Sequence, residues 1–283
     1  MNLIKRDIKL NKRLPGSIGP YLKRRLKKTY IFLFKPFFKR GISIKIGDAG
    51  DFRFDYTFAF SRFNAFGTKH NSGFKKWLEV CKGKRTVFDI GAHIGLYSIP
   101  ASRVIDKSGL IYAFEPSRAN RSYLEKHSRF NGIDNIKIFP CLVGEGSSEG
   151  VVFYENNDVD PMNSVKMRKN LDLYNKVSKE QVSLDDFCDQ RNIAPEIIKI
   201  DVEGSELKVL KGAQTIFKKY NPIVFLSLHP RRLALMDASI EELAQLTDSL
   251  SYNIYNTSGQ RPGRFEHNEY ILIPKKRDIH EIF

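Results

Sequence analysis

The stretch VFDIGAHIGLYS, which runs from Val87 to Ser98, decides the fold class of this chain. Its first residues are mostly apolar, as in a buried strand, and Asp89 and Gly91 stand where that strand would end. Because glycine has no Cβ, the backbone at Gly91 and Gly95 can bend sharply and approach a ligand closely. The stretch therefore predicts a strand, a glycine turn and the start of a helix, which is where open parallel sheets bind their ligands.

Strands and helices alternate along the chain from residue 86 onward. The predicted strands are 86–91, 109–116, 136–140, 196–204, 222–228, 252–256 and 270–273. The predicted helices are 96–105, 117–132, 206–220 and 239–250. Alternation with short links predicts a mainly parallel sheet that is covered by helices on both faces.

Two segments depart from this alternation. Residues 41–80 contain short alternating runs at 42–46 and 51–56 and a predicted helix over 72–81, so they indicate a small β-containing lead-in. Residues 141–182 are polar and rich in Gly, Ser, Asn, Asp and Lys, and long connections of this kind are usually functional loops or disordered. We interpret the latter segment as a substrate-facing insertion, with a plain solvated loop as the alternative.

The second predicted strand adds a feature of a nucleoside-binding site. Glu115 lies at its end, where an acidic side chain can accept hydrogen bonds from both ribose hydroxyls. The glycine spacing fits neither the Gly-x-Gly-x-x-Gly of a dinucleotide site nor the Gly-Lys-Ser/Thr of a P-loop. These observations favour an adenosine cofactor without a pyrophosphate, for which S-adenosylmethionine is the natural candidate.

Four stretches of the sequence, by their order and spacing, resemble the FkbM family of S-adenosylmethionine-dependent methyltransferases. They are VFDIGAHIGLYS, YAFEP, QVSLDDF and IIKIDVEGSELKVLKGA, and the resemblance covers roughly residues 80–230. It implies an α/β, Rossmann-like class I methyltransferase fold with a seven-stranded, mostly parallel sheet. It also implies an S-adenosylmethionine-dependent O-methyltransferase acting on a hydroxyl of a sugar, glycan or related small metabolite. A methyltransferase acting on nucleic acid such as RNA and a non-catalytic scaffold are the alternatives.

The resemblance implies which residues of this chain bind the cofactor. The residues expected to bind the cofactor are Asp89, Gly91, Ala92, His93, Gly95, Glu115 and Asp201. Two positions depart from the family pattern. The family commonly has Asn at the position of His93, and commonly Glu-x-His where this chain reads Ser227-Leu228-His229.

The residues expected to carry catalysis are His229, Asp201 and Glu203. His229 is our candidate for the base that takes a proton from the acceptor hydroxyl, because imidazole titrates near neutral pH. A structural histidine at the end of the strand is the alternative. We interpret Glu206 as a favourable charge in the first turn of a helix. No metal is expected, because the sequence shows scattered carboxylates without a metal-ligand cluster.

Positive charge is concentrated in a basic arm, residues 1–40. Thirteen basic residues and one acidic residue give the arm a net charge of +12, which leaves +3 of the total of +15 for the rest of the chain. A helix is predicted from Pro20, with one apolar face formed by Leu22, Leu26, Tyr30 and Leu33. A basic amphipathic helix is typical of attachment to an anionic membrane surface. Packing onto the rest of the chain and nucleic-acid binding are the alternatives, and the sequence has no RNA-recognition signature.

The composition of the chain also indicates its cellular location and its division into segments. The cysteines at 81, 141 and 188 lack the paired spacing of a zinc site, and no apolar run of about twenty residues occurs. We expect a cytoplasmic protein, peripheral on the inner face of the membrane. The expected organisation is the basic arm, the lead-in at 41–80 and a methyltransferase domain over 81–283.

Overall fold

The computed structural model describes residues 35–68, 71–159 and 174–283, together with Thr29, Asn163 and Val165. Apart from Thr29 and its last residue before Pro36, the helix predicted from Pro20 lies outside the described residues and stays a prediction. Within the described ranges, no helix combines the length and the apolar character that crossing a membrane requires.

The described part of the chain alternates short strands and helices. The strands are β1 (Ile42–Lys45), β2 (Asp51–Phe54), β3 (Thr86–Ile90), β4 (Leu110–Phe114), β5 (Ile136–Phe139), β6 (Leu142–Val143), β7 (Ser148–Glu155), β8 (Asn175–Val182), β9 (Ile197–Ile200), β10 (Ile223–Leu228), β11 (Tyr252–Asn256) and β12 (Asn268–Pro274). The α-helices are α1 (Phe74–Cys81), α2 (Ser98–Ala101), α3 (Arg118–Phe130), α4 (Leu184–Arg191), α5 (Glu206–Lys211), α6 (Gln214–Tyr220), α7 (Pro230–Leu235) and α8 (Ile240–Ser249).

A seven-stranded sheet forms the centre of the molecule, with the strand order β11-β12-β10-β9-β3-β4-β5. The strands from β10 to β5 pair in parallel, whereas β12 runs antiparallel to both of its neighbours. From β3 the chain builds outward through β4 and β5, and it then returns to build β9 and β10 on the other side. The switch point between β3 and β9 is where such sheets bind ligands. This topology confirms the predicted class I methyltransferase fold.

The central strands are buried on both faces. β9 and β10 are buried along their whole lengths. Side chains alternate between two cores, so that Val87 packs in the same core as Trp77 of α1, whereas Phe88 packs against Phe187 of α4. Helices on both faces therefore explain why these strands are near-continuous apolar runs.

The lead-in packs onto this domain through aromatic rings. β1 and β2 form an antiparallel hairpin. The ring centroids of Phe54 and Phe58, from the hairpin and the turn after it, lie 4.3 Å and 5.4 Å from that of His127 on α3. α1 in turn packs Trp77 against Phe225 of β10. The lead-in is thus continuous with one of the two cores.

Residues 206–220, predicted as one helix, form two. α5 ends at Lys211 and α6 begins at Gln214. A Cβ atom on Gly212 would lie 2.0 Å from the carbonyl oxygen of Gly144, so the backbone of another segment occupies the space beside the break. The carboxylate of Asp185 accepts hydrogen bonds from the first backbone N–H groups of α6. These contacts come from distant segments and leave no local signal in the helical pattern.

The insertion at 141–182 contains regular structure that its composition did not indicate. β6, β8 and β7 form a small sheet, in which β7 and β8 pair antiparallel. Most side chains of these two strands are exposed or only partly buried, so no buried alternation marks them in the sequence. α4, which follows the insertion, was also not predicted, although Ser183 caps it. The interpretation as a plain loop is therefore wrong for the described part of this segment.

Candidate active site

A cavity of about 800 Å³ lies at the carboxyl ends of the central strands. The predicted site residues that line it are Asp89, Gly91, Ala92, His93, Glu115, Asp201, Glu203 and His229. The lead-in adds Phe66 and Asn71 to its walls, and the insertion adds Phe153 and Gln181. Its volume is in the range of small-molecule sites, about 300–1,000 Å³.

Position 91 requires a glycine, because the backbone that follows β9 passes close to it. Its φ is +84°, in the region that favours glycine, and a Cβ atom there would lie 1.9 Å from the carbonyl oxygen of Asp201. The close approach at this turn is therefore made by the chain after β9, which brings Asp201 beside the glycine turn.

We expect Gly91→Ala to destabilise the fold more than Gly50→Ala does. Left-handed strain costs about 1–3 kcal/mol at either position. Gly50 has a φ of +95° and open space around it, so only Gly91→Ala adds an overlap with backbone. That overlap should add about 1–3 kcal/mol to the loss of unfolding free energy. Denaturant unfolding of both variants measures the difference, and equal losses would contradict the steric argument.

Gly95 does not belong to the cavity lining. A Cβ atom on it would lie 2.5 Å from Cδ1 of Leu124 and 2.8 Å from Cδ1 of Ile99, and its φ is +93°. The close approach that we expected a ligand to make at Gly95 is made by α3 and α2 instead. Gly95 therefore has a role in helix packing, and its contact with the cofactor stays a prediction.

His93 adopts the left-handed conformation with a φ of +51°. Asn and His are among the few non-glycine residues enriched in this region, which gives a physical reason why His can stand where Asn is common. The backbone N–H of His93 donates a hydrogen bond of 2.8 Å to Oε2 of Glu115. The glycine turn and the end of β4 are thereby held together.

Glu115 is buried and is held by three donors. Its Oε1 accepts hydrogen bonds from the backbone N–H of Ser117 and the side-chain amide of Asn120, and its Oε2 accepts the one from His93. Burial raises the pKa of Glu115 to about 7, although these donors oppose the rise. Each carboxylate oxygen can accept two hydrogen bonds, so Oε2 keeps capacity for a ligand hydroxyl.

Asp89 is a buried carboxylate among the residues that line the cavity. The side chain is almost fully buried, and Oδ2 accepts a hydrogen bond from the hydroxyl of Ser98 at the start of α2. Oδ1 has no hydrogen-bond partner among the described residues. Burial raises the pKa of Asp89, and Lys199 opposes that shift. A buried acceptor without a partner fits a ligand that brings a donor, such as an ammonium group.

The three predicted catalytic residues meet at the ends of β9 and β10. Nε2 of His229 lies 3.8 Å from Oδ1 of Asp201 and 3.9 Å from Oε2 of Glu203. The prediction that the carboxylates are scattered is wrong here, because potential ligand atoms of these three residues lie within 4.8 Å of one another. Their spacing alone would permit a metal ion.

Positive side chains already accompany both carboxylates. Nζ of Lys199 lies 2.9 Å from Oδ2 of Asp201, and the guanidinium of Arg232 contacts Glu203. Burial raises the pKa of Asp201, but Lys199 and His229 lower it by more, so that it lies below its ordinary value. Ser227, which stands where the family commonly has Glu, also hydrogen-bonds to Asp201. Each carboxylate of the cluster therefore has a cationic neighbour.

A buried polar network beneath the cluster was missed from the sequence. Lys199, which was not among the predicted site residues, is 2% exposed and lies 4.2 Å above the ring of Tyr97. The hydroxyl of Tyr97 hydrogen-bonds to Glu269 on β12, which also accepts from the backbone N–H of Gly73. The available signal was a lysine inside the apolar run of β9, because a buried charge requires partners. Glu206, a second missed residue, is buried against His229.

Comparisons with known proteins identify related sequences and structures. A sequence model of the methyltransferase FkbM domain matches residues 89–254. Hexuronic acid methyltransferase AglP of Haloferax volcanii is 25% identical over 149 residues, covering 52% of this chain and 57% of that protein. Methyltransferase 1 of Beauveria bassiana is 24% identical, covering 44% of this chain and 57% of that protein. The chain therefore spans a little over half the length of these curated relatives.

One solved structure to which this chain is similar is methyltransferase FkbM from Methylobacillus flagellatus KT. It shares 21% sequence identity with this chain at a TM-score of 0.44. The match covers 68% of this chain and 44% of that one.

Proposed function

Because the chain belongs to the FkbM methyltransferase family, we propose that it transfers a methyl group from S-adenosylmethionine to a hydroxyl of a sugar or glycan. The main observation in support of this proposal is that His229 lies close to Asp201 and Glu203. All three line a cavity that is also lined by the glycine turn and Glu115. In this proposal one cavity holds both the base and the nucleoside site.

In this proposal, two carboxylates of the cavity lining use oxygen atoms that can still accept a hydrogen bond from the cofactor. Glu115 would accept a hydrogen bond from a ribose hydroxyl through Oε2. Asp89 would accept one from the ammonium group of the methionine moiety through its unpaired Oδ1. Ala92 and His93 form the turn beside them. S-adenosylmethionine supplies a methyl group on a positively charged sulfur, and the carboxylates around the cavity favour a cation.

The acceptor side of the proposal rests on His229. Methyl transfer needs an aligned nucleophile, and a sugar hydroxyl is a poor one until a base removes its proton. Nε2 of His229 would take that proton as the oxygen attacks. Asp201 and Glu203 would accept hydrogen bonds from the acceptor and stabilise the imidazolium that forms. A sugar is favoured as the acceptor class because the relative from Haloferax volcanii is a hexuronic acid methyltransferase.

Methyl transfer from radiolabelled S-adenosylmethionine tests the proposed function. The acceptor panel should contain neutral hexosides, hexuronides and RNA, with mass spectrometry to locate the added methyl group. O-methylation of a sugar supports the proposal. Methylated RNA with unmodified sugars would favour the nucleic-acid alternative, and cofactor binding without transfer to any acceptor would favour a scaffold.

We also propose that the basic arm holds the enzyme against an anionic membrane surface. Its net charge of +12 and the single apolar face of its predicted helix support this proposal. Such a contact would bring the active site to lipid-carried glycans.

Reversing four charges of the arm should therefore abolish membrane binding. The variant changes Lys23, Arg24, Lys27 and Lys28 to Glu, because each basic residue near an anionic surface contributes about 1 kcal/mol. The control reverses four exposed lysines outside the arm, namely Lys218, Lys219, Lys275 and Lys276. Flotation with phosphatidylglycerol vesicles measures binding. Loss in both variants or in neither would contradict a specific role for the arm.

A further inference from the structure

Glu206 is a buried carboxylate to which the proposed function gives no role. It begins α5, and none of its surface is exposed. Its Oε1 lies 2.7 Å from Nδ1 of His229 and accepts a hydrogen bond of 3.0 Å from the backbone N–H of Gly204. A charge that only favours the first turn of a helix needs no burial, and burying a carboxylate is costly. The contact with His229 explains its position better than the helix does.

We propose that Glu206 is the positioning residue that holds the proton of His229 on Nδ1 and so keeps Nε2 available as the base. This inference rests on the proposed function. An ionised carboxylate can only accept hydrogen bonds, so Nδ1 must donate to it. In neutral imidazole the other ring nitrogen then carries the lone pair. That nitrogen is the one that faces Asp201 and Glu203.

The N–H of Gly204 fixes which oxygen faces the histidine. Glu203 and Gly204 both have positive φ values, +58° and +112°, and this tight turn directs the N–H of Gly204 at Glu206. Because that N–H requires an acceptor, a glutamine at position 206 would place its oxygen where Oε1 now lies. Glu206→Gln therefore removes the charge while it keeps the acceptor, whereas Glu206→Leu removes both.

The surroundings of His229 contain several charged or titratable groups. They are Asp201, Glu203, Glu206, Lys199, Arg232 and His267. Burial lowers the pKa of His229, but the hydrogen bond to Glu206 and the charges of Asp201 and Glu206 raise it by more, to above its ordinary value of 6.5. The base is active when neutral, so turnover should rise with pH through this elevated pKa.

Nitrogen-15 NMR of the histidine rings tests the inference without requiring activity. The His229 signals are identified by their loss in His229→Asn. In the parent protein we expect the neutral ring to carry its proton on Nδ1. Glu206→Gln should keep this tautomer and lower the pKa of His229 by about 1–3 units, because one anionic partner is removed. Glu206→Leu should shift the population towards the Nε2–H tautomer.

Kinetics provide the second measurement. The ascending limb of the pH profile of kcat should move to lower pH in Glu206→Gln, with unchanged affinity for S-adenosylhomocysteine. Glu206→Leu should lower kcat by roughly 10²-fold or more, because the base is misplaced. Asp185→Asn is the matched control, since Asp185 is a carboxylate at the N-terminus of the next helix. It should leave the tautomer and the pH profile unchanged.

The outcomes separate this inference from the proposed function. An Nε2–H tautomer in the parent protein, or the same His229 pKa in the parent and in Glu206→Gln, would overturn the role of Glu206 even if the enzyme methylates sugars. The expected NMR result in a protein that methylates no acceptor would establish the Glu206–His229 pair and refute the proposed reaction.

Discussion

His229→Ala should lower kcat by roughly 10²–10⁴-fold, the usual contribution of a positioned base. Affinity for S-adenosylhomocysteine should change little, because His229 follows β10, whereas Glu115, the proposed ribose ligand, follows β4. Steady-state kinetics with the sugar acceptor and calorimetric titration measure the two effects. A large loss of kcat with unchanged affinity distinguishes a base from a residue that only shapes the cavity.

Two further variants control this experiment. His229→Asn retains an N–H that can donate to Glu206, so that it preserves the buried hydrogen bond without providing a base. His267→Ala removes the other ring at this point of the cavity, whose centroid lies 4.7 Å from that of His229. We expect a defect in His229→Asn close to that of His229→Ala, and a much smaller defect in His267→Ala. Parent-like turnover in His229→Asn would refute the base.

Glu115→Ala should weaken binding of S-adenosylhomocysteine by roughly 10–100-fold. Hydrogen bonds to a charged group contribute about 1.5–3 kcal/mol, and every 1.4 kcal/mol is a factor of about ten in affinity. Calorimetric titration of parent and variant measures the loss. Equal affinity in a folded variant would contradict the assignment of Glu115 to the ribose.

The matched control for this variant is Glu196→Ala. Glu196 also accepts two backbone N–H groups, from Arg85 and Thr86, but it lies at the opposite end of β3 from the cavity. Glu196→Ala should change the unfolding midpoint and leave cofactor affinity unchanged. Loss of affinity in both variants would indicate a general effect on the sheet.

The pKa of Glu115 adds a pH dependence to this binding. A carboxylate with a pKa of about 7 is largely protonated at pH 6 and largely ionised at pH 8. The ionised form is the better acceptor for a ribose hydroxyl, so affinity for S-adenosylhomocysteine should rise over this interval. The rise should be absent in Glu115→Ala.

The sequence by itself determined the sheet and the order of its elements along the chain, and it predicted the positions of the site residues. Apolar runs interrupted by Asp89-x-Gly91 and ended by Glu115 are local patterns, and they specify a strand and its turn wherever the strand later packs. Strands buried on both faces give a strong signal, which is why β3, β4, β9 and β10 were found. β7 and β8 were missed because their mostly exposed or only partly buried polar side chains give no such signal.

Only the tertiary structure decided which residues contact one another around the candidate site. It showed that Gly95 faces Leu124 and Ile99, that Glu206 contacts His229, and that Tyr97 reaches Glu269 across 172 positions of the chain. Nothing in a local pattern specifies such pairs, because they depend on which strands become neighbours and which faces the helices cover. A buried polar side chain must find its partner in the folded state, and that partner is set by packing and not by spacing along the sequence.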